Sequence, residues 1–89
     1  MSSKQDTLLE FPCEFPIKIT GKNNPEFKEA VEKVLKNLLK KEDLISITEQ
    51  ISAKGNYLAL TVLAKFYDKN SLDNLYINLG KEKEVLMLL

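Results

Sequence analysis

Few residues of this chain have types and spacing that could do chemistry. Lys54-Gly55 leads into an apolar run, Cys13 stands alone, and Thr20-Gly21-Lys22-Asn23-Asn24 precedes a helix-like segment. The chain has no histidine. That removes Ser–His and Cys–His activation of a nucleophile and every His-ligated metal site. Catalysis would have to run on carboxylates, lysines or Cys13. No adjacent base activates Cys13, which reads as a structural cysteine. Glu10, Glu14, Glu42, Asp43 and Glu49 are scattered among polar segments. No spacing among them selects a catalytic pair, and they read as solvated surface. No catalytic residue, metal site or cofactor is expected.

The Lys54-Gly55 pair admits three readings. The first is RNA recognition, in which Lys-Gly opens a strand whose aromatic side chains stack bases on an open sheet face. Here the three stacking positions hold Asn56, Leu58 and Thr61, and the first strand offers only Pro16, Lys18 and Thr20 outward. The stacking platform is missing. The second is a phosphate loop, which needs several glycines and a strand-to-helix transition. Lys54-Gly55 joins strand to strand. The third is a hairpin turn in which Gly55 or Asn56 takes positive φ, and Gly-Asn is itself a hairpin signal. The turn is the reading adopted.

Gly21, Lys22, Asn23 and Asn24 form the candidate ligand loop. They join a strand to a helix N-terminus, where free N–H groups favour an anion or a carboxylate. The competing reading is a plain capping turn, because the loop has a single glycine.

The elements that must position these residues follow from periodicity. Phe11-Pro12-Cys13 is an extended lead-in. Phe15, Ile17 and Ile19 alternate with Pro16, Lys18 and Thr20, the pattern of a half-buried strand ended by Gly21. Asn24 caps a helix with Pro25 at its first position and Glu26 at the positive end of the dipole. Phe27, Val31, Val34, Leu35 and Leu38 form its apolar stripe, and lysines trail to Lys40-Lys41, a solvated charged face. A second strand runs from about Leu44 to Ile51, with Ile45, Ile47, Glu49 and Ile51 on one side. The third strand, Tyr57 to Phe66, is almost continuously apolar and belongs mid-sheet. Residues 68–71 form a loop ending in capping residues. Leu72, Leu75, Tyr76 and Leu79 mark a second helix, with Gly80 placed as a left-handed cap. Val85 to Leu89 is a short final strand.

Strand, helix, strand, strand, helix, strand predicts an α+β chain: a ferredoxin-like βαββαβ sandwich with two helices on one face of a four-stranded antiparallel sheet. The first and third strands are placed centrally, the second and fourth at the edges. Residues 11–89 are assigned to one domain and residues 1–10 to a mobile tail. The final strand is apolar on both faces at a sheet edge, with no charge, proline or bulge to blunt it. Leu63, Leu86 and Leu88 are therefore the candidate interaction surface, unless Leu8-Leu9-Glu10-Phe11 covers it.

The chain has 89 residues, room for one domain. Its 13 basic and 13 acidic residues cancel, which leaves no footprint for nucleic acid or an anionic membrane. One cysteine, no apolar leader and no apolar run of the ~20 residues a membrane helix needs predict a cytoplasmic protein.

Several stretches are similar to one known family: Phe11-Pro12-Cys13 with Phe15-Pro16-Ile17-Lys18-Ile19 and Gly21, then Ser52-Ala53-Lys54-Gly55-Asn56-Tyr57 with Leu60-Thr61-Val62, then Leu75-Tyr76, Leu79 and Val85-Leu86-Met87-Leu88-Leu89. Across residues 8–89 the chain resembles the bacterial YbeD-like family of small uncharacterised proteins, and Lys-Gly-Asn-Tyr is the most specific piece. The resemblance implies a ferredoxin-like fold similar to ACT domains, the small regulatory domains that bind amino acids in metabolic enzymes. It implies no settled activity. Many relatives look as if they carry a histidine before the final strand, where this chain has Lys81-Glu82-Lys83-Glu84, so no role of that histidine passes to it.

Two function classes follow. One is a non-catalytic regulatory or adaptor domain that meets a protein partner, a small molecule or a second copy in a weak homodimer. The other is an enzyme with a Lys/Glu site completed by oligomerisation, whose mark would be a buried lysine of displaced pKa. Neither nucleic acid nor membrane is an expected partner.

Overall fold

The computed structural model describes residues 10–89. Leu8, Leu9 and the rest of the expected tail before Glu10 lie outside the described residues. The elements run β1 (Cys13–Lys22), α1 (Pro25–Leu38), a single 3-10 turn (Lys41–Asp43), β2 (Leu44–Ile51), β3 (Tyr57–Phe66), α2 (Lys69–Gly80) and β4 (Val85–Leu88). The sheet order is β2-β3-β1-β4 and all neighbours are antiparallel. This is the βαββαβ arrangement, with β1 and β3 central.

Local chemistry sets the helix starts. Asn24 is extended, and its side-chain oxygen accepts the Phe27 N–H at 2.9 Å, with Pro25 at the first helical position. Asp68 caps α2 by accepting the Ser71 N–H at 2.7 Å. The capping loop expected at 68–71 is thus already the first turn of α2.

One face of the sheet carries the core. The register pairs Ile17 with Val62 and Ile19 with Leu60, so these four side chains share a face. Phe27, Val31, Val34 and Leu35 of α1 and Leu72, Leu75 and Leu79 of α2 cover them in one buried cluster. Burying each such side chain is worth roughly 1.5–3 kcal/mol, so the two helix stripes hold the layers together.

Three expectations are corrected. Gly80 is not left-handed: it is the last helical residue, Lys81 caps the helix with φ −79°, and the positive φ lies at Gly55. Leu38 sits at the exposed margin of α1, and Leu39, beyond the helix, packs on the core instead. In β2 the ladder slips between Leu44 and Ser46. Leu44, paired with Ala64, shares the helix-facing side with Ile47 in place of Ile45, which alternation groups there and which is 45% exposed.

Candidate functional site

The candidate ligand loop is built around a close approach. Gly21 is buried, and a Cβ there would stand 2.6 Å from the Glu84 carbonyl oxygen and nearer still to the Phe27 ring. Glycine is needed at this point so that the N-terminal turn of α1 and the approach to β4 can both close on β1. Beyond it, the loop spends its polar groups on the chain itself. The Asn23 N–H donates to the Asn56 carbonyl at 3.0 Å, and Asn23 Nδ2 donates to the Gly55 carbonyl at 3.1 Å. The Asn24 N–H donates to the Lys22 carbonyl at 2.9 Å. Asn24 Oδ1 is taken by the cap. Lys22 is exposed and pairs across the ladder with Tyr57. The four residues are adjacent, and their geometry is that of a capping turn clasped to the β2–β3 hairpin.

That hairpin answers the question posed by Lys54-Gly55. The Gly55 N–H donates to the Ser52 carbonyl at 2.9 Å, and Gly55 has φ +81°. Ser52 also receives Tyr57: its hydroxyl accepts the Tyr57 N–H at 3.1 Å, and its own N–H donates to the Tyr57 carbonyl at 2.9 Å. Leu58 faces the helices and is buried, so the exposed ring at the start of β3 is Tyr57, on the open face of the sheet.

The expected apolar surface does not assemble as one patch. Leu63 lies on β3, opposite Pro16, while β1 stands between β3 and β4. Leu88 pairs with Ile19 and packs on the core. Leu86 is 55% exposed beside a register slip at Thr20/Gly21, and Met87, paired with Thr20 on the open face, is 56% exposed. The exposed part of this edge is therefore Leu86, Met87 and Leu89, apart from Leu63.

Two features escaped the sequence reading. Asp43, expected on the surface, is buried in the 3-10 turn and accepts the Tyr67 hydroxyl hydrogen bond at 2.8 Å. That bond, then burial and the charges of Asp43 and Glu42, pushes the Tyr67 phenol above its ordinary value. The second feature is a groove of about 550 Å³ between the C-terminal half of α1 and β2. Leu35, Leu39, Leu44 and Ile47 give it an apolar lining, and Glu32, Lys36, Lys40 and Lys41 supply its charges. The recurrence of Leu39 four residues after Leu35 was its one sequence signal. The slip that turns Leu44 inward had none.

The family described as "Protein of unknown function (DUF493)" matches residues 6–89. The chain belongs to it. This is the YbeD-like resemblance seen in the sequence. A DUF493 relative, a "UPF0250 protein" of Paraburkholderia phytofirmans, is 41% identical over 76 residues, 85% of each chain. Another, from Neisseria meningitidis serogroup C, is 39% identical over 83 residues, covering 93% of this chain and 91% of the relative. Among solved structures, protein HP0495 of H. pylori superposes with a TM-score of 0.74 at 8% identity, covering 91% of this chain and 85% of that one. The ACT domain from the GTP pyrophosphokinase of Chlorobium tepidum gives 0.71 at 16% identity, covering 85% and 94%. These likenesses show the fold: the DUF493 chain is a ferredoxin-like, ACT-like α+β sandwich. Among the described residues no helix is long and apolar enough to cross a membrane.

Proposed function

We propose that this DUF493 chain is a small regulatory or adaptor domain that acts by binding rather than by catalysis. The observation that carries the reading is where the apolar surface lies. In the Gly21–Asn24 loop, Asn23 is tied to the hairpin and Asn24 to the helix cap. Exposed apolar side chains stand on both outer strands, Ile45, Ile47 and Ile51 on β2 and Leu86 and Met87 on β4, besides Leu38 and Ile77 on the helices and Tyr57 on β3. Apolar side chains along strands with a free edge are the usual means of recruiting another chain. The similarity to an ACT domain of a GTP pyrophosphokinase supports a regulatory role by fold analogy alone.

An enzyme of lysine chemistry is less well supported. A catalytic amine needs its pKa lowered. Lys28 is displaced upward, first by its hydrogen bond to Glu49 and then by the charge of that residue, in a 2.7 Å ion pair. A cytoplasmic setting fits the single cysteine.

The test is affinity isolation of the tagged full chain from its own cell extract, beside Ile47→Lys and Met87→Lys, with a thermal-shift screen of amino acids and nucleotides in parallel. A partner recovered by the native chain and lost with one edge variant, or a ligand that raises the melting temperature, supports the proposal. Equal recovery by all three chains together with a flat screen overturns it.

A further inference from the structure

We propose that the groove between α1 and β2 receives an extended acidic, apolar segment of a partner protein, which adds to the free edge of β2 as a further strand. The inference rests on the binding role proposed above and specifies its chemistry. β2 is eight residues long, contains neither lysine nor proline, and among the described residues is hydrogen-bonded to β3 alone. It is blunted by the slip at Leu44/Ser46 and by the charge of Glu49, which Lys28 already neutralises. Ile47 shares the helix-facing side with Val62 but is still 38% exposed, because α1 stops short of covering it. A strand laid beside β2 would continue that side and place alternate side chains against Leu35, Leu39, Leu44 and Ile47.

Charge decides the occupant. The chain as a whole is neutral, yet the groove carries Lys36, Lys40 and Lys41 against Glu32 alone. Among the described residues, none of these lysines has a carboxylate partner, whereas Lys28, earlier on α1, is already matched by Glu49. The groove is left with a cationic surplus over an apolar lining. A second copy joined β2 to β2 would bring the same surplus to the seam, so like charges oppose that symmetric pairing. A segment whose apolar side chains alternate along a strand flanked by Glu or Asp satisfies both the lining and the lysines.

The experiment uses the full chain, labelled with nitrogen-15, and a short capped peptide of alternating valine and threonine flanked by glutamates. A second peptide has lysines in place of the glutamates. The expected result is amide shift changes confined to β2 and the C-terminal half of α1. Affinity should fall with added salt, fall about tenfold or more in a Lys36→Glu/Lys40→Glu double variant, and vanish for the lysine-flanked peptide. Both substitutions are at exposed positions, and circular dichroism checks that the variant is folded. Three results would overturn the proposal: no binding of the acidic peptide, equal binding of both peptides, or shifts on β4 or the open sheet face. Sedimentation showing a dimer sealed at β2 that the acidic peptide cannot open would do the same. If a partner is still recovered through Met87 on β4, the broader binding role survives while this site fails.

Discussion

Asn23 and Gly55, 32 positions apart, are joined by a 3.1 Å bond from the Asn23 amide to the Gly55 carbonyl, and the Asn23 backbone donates to the next carbonyl at 3.0 Å. The clasp ties the β1–α1 loop to the β2–β3 hairpin at one end of the sheet. It gives the Lys-Gly-Asn-Tyr stretch a structural purpose: the hairpin must present two carbonyls in a row toward the loop. Asn23→Ala removes the side-chain bond and leaves the backbone one. The site is exposed, so the expected loss is about 0.5–1 kcal/mol. Urea denaturation checks it, and an unchanged midpoint would show that water replaces the amide at no cost.

The three glycines should respond to alanine in three ways. Gly55→Ala meets no neighbour but is strained at φ +81°, and should cost about 1–2 kcal/mol. Gly21→Ala drives a methyl group into Phe27 and the Glu84 backbone, and should cost more than Gly55→Ala. Gly80→Ala lies in a helix with its nearest contact, Leu88, at 3.8 Å, and should stabilise by about 0.5–1 kcal/mol. Melting curves of the three single variants test the order, and a destabilised Gly80→Ala would contradict the helical placement of this residue.

Asp43 and Tyr67 make a pH prediction. The Tyr67 phenol is raised above its ordinary value near 10, first by its hydrogen bond to Asp43. A raised value means that the fold favours the neutral phenol. The stabilisation is complete below the ordinary value and is lost as pH rises through the higher, folded one. Tyr76, raised by burial, behaves in the same sense. Alkaline absorbance titration should show late-ionising phenols. Tyr67→Phe should remove one of them, and Asp43→Asn should bring Tyr67 back toward its ordinary value. A titration curve identical in native protein and Asp43→Asn would exclude the bond.

What was legible in the sequence is what period and caps encode. Alternation from Phe15 to Ile19, the apolar run of β3 and the Asn24-Pro25 start sufficed for the element order and the strand order. The misses have separate physical causes. A ladder slip leaves no trace in alternation, so Ile45 stood in for Leu44 and Leu86 was grouped with Leu88. Gly80 follows an apolar stripe as a cap would, yet the helix simply includes it. Asp43 is invisible as a buried acid until the fold brings Tyr67, 24 positions away, within 2.8 Å. The Gly21–Asn24 loop joins β1 to α1 as its spacing indicates, but only the fold shows that the amide and backbone N–H of Asn23 are already engaged.

The β4 edge separates side chains that the sequence placed together. Leu88 pairs with Ile19 and packs on the core, while Leu86 and Met87 are more than half exposed, at 55% and 56%. Leu88→Lys therefore buries part of an ammonium stem against apolar side chains and forfeits packing. It should cost about 1–3 kcal/mol, at the lower end of core truncations because Leu88 is only partly buried. Leu86→Lys and Met87→Lys exchange one exposed side chain for another and should stay within about 0.5 kcal/mol of the native chain. Denaturant titration of the three variants measures the split. Light scattering at high protein concentration then reads association without confusing it with unfolding, which Leu88→Lys alone could not do. If Met87→Lys lowers the scattering mass while leaving stability unchanged, the β4 edge is where copies of the chain meet. If the mass is that of one chain throughout, this edge does not join copies.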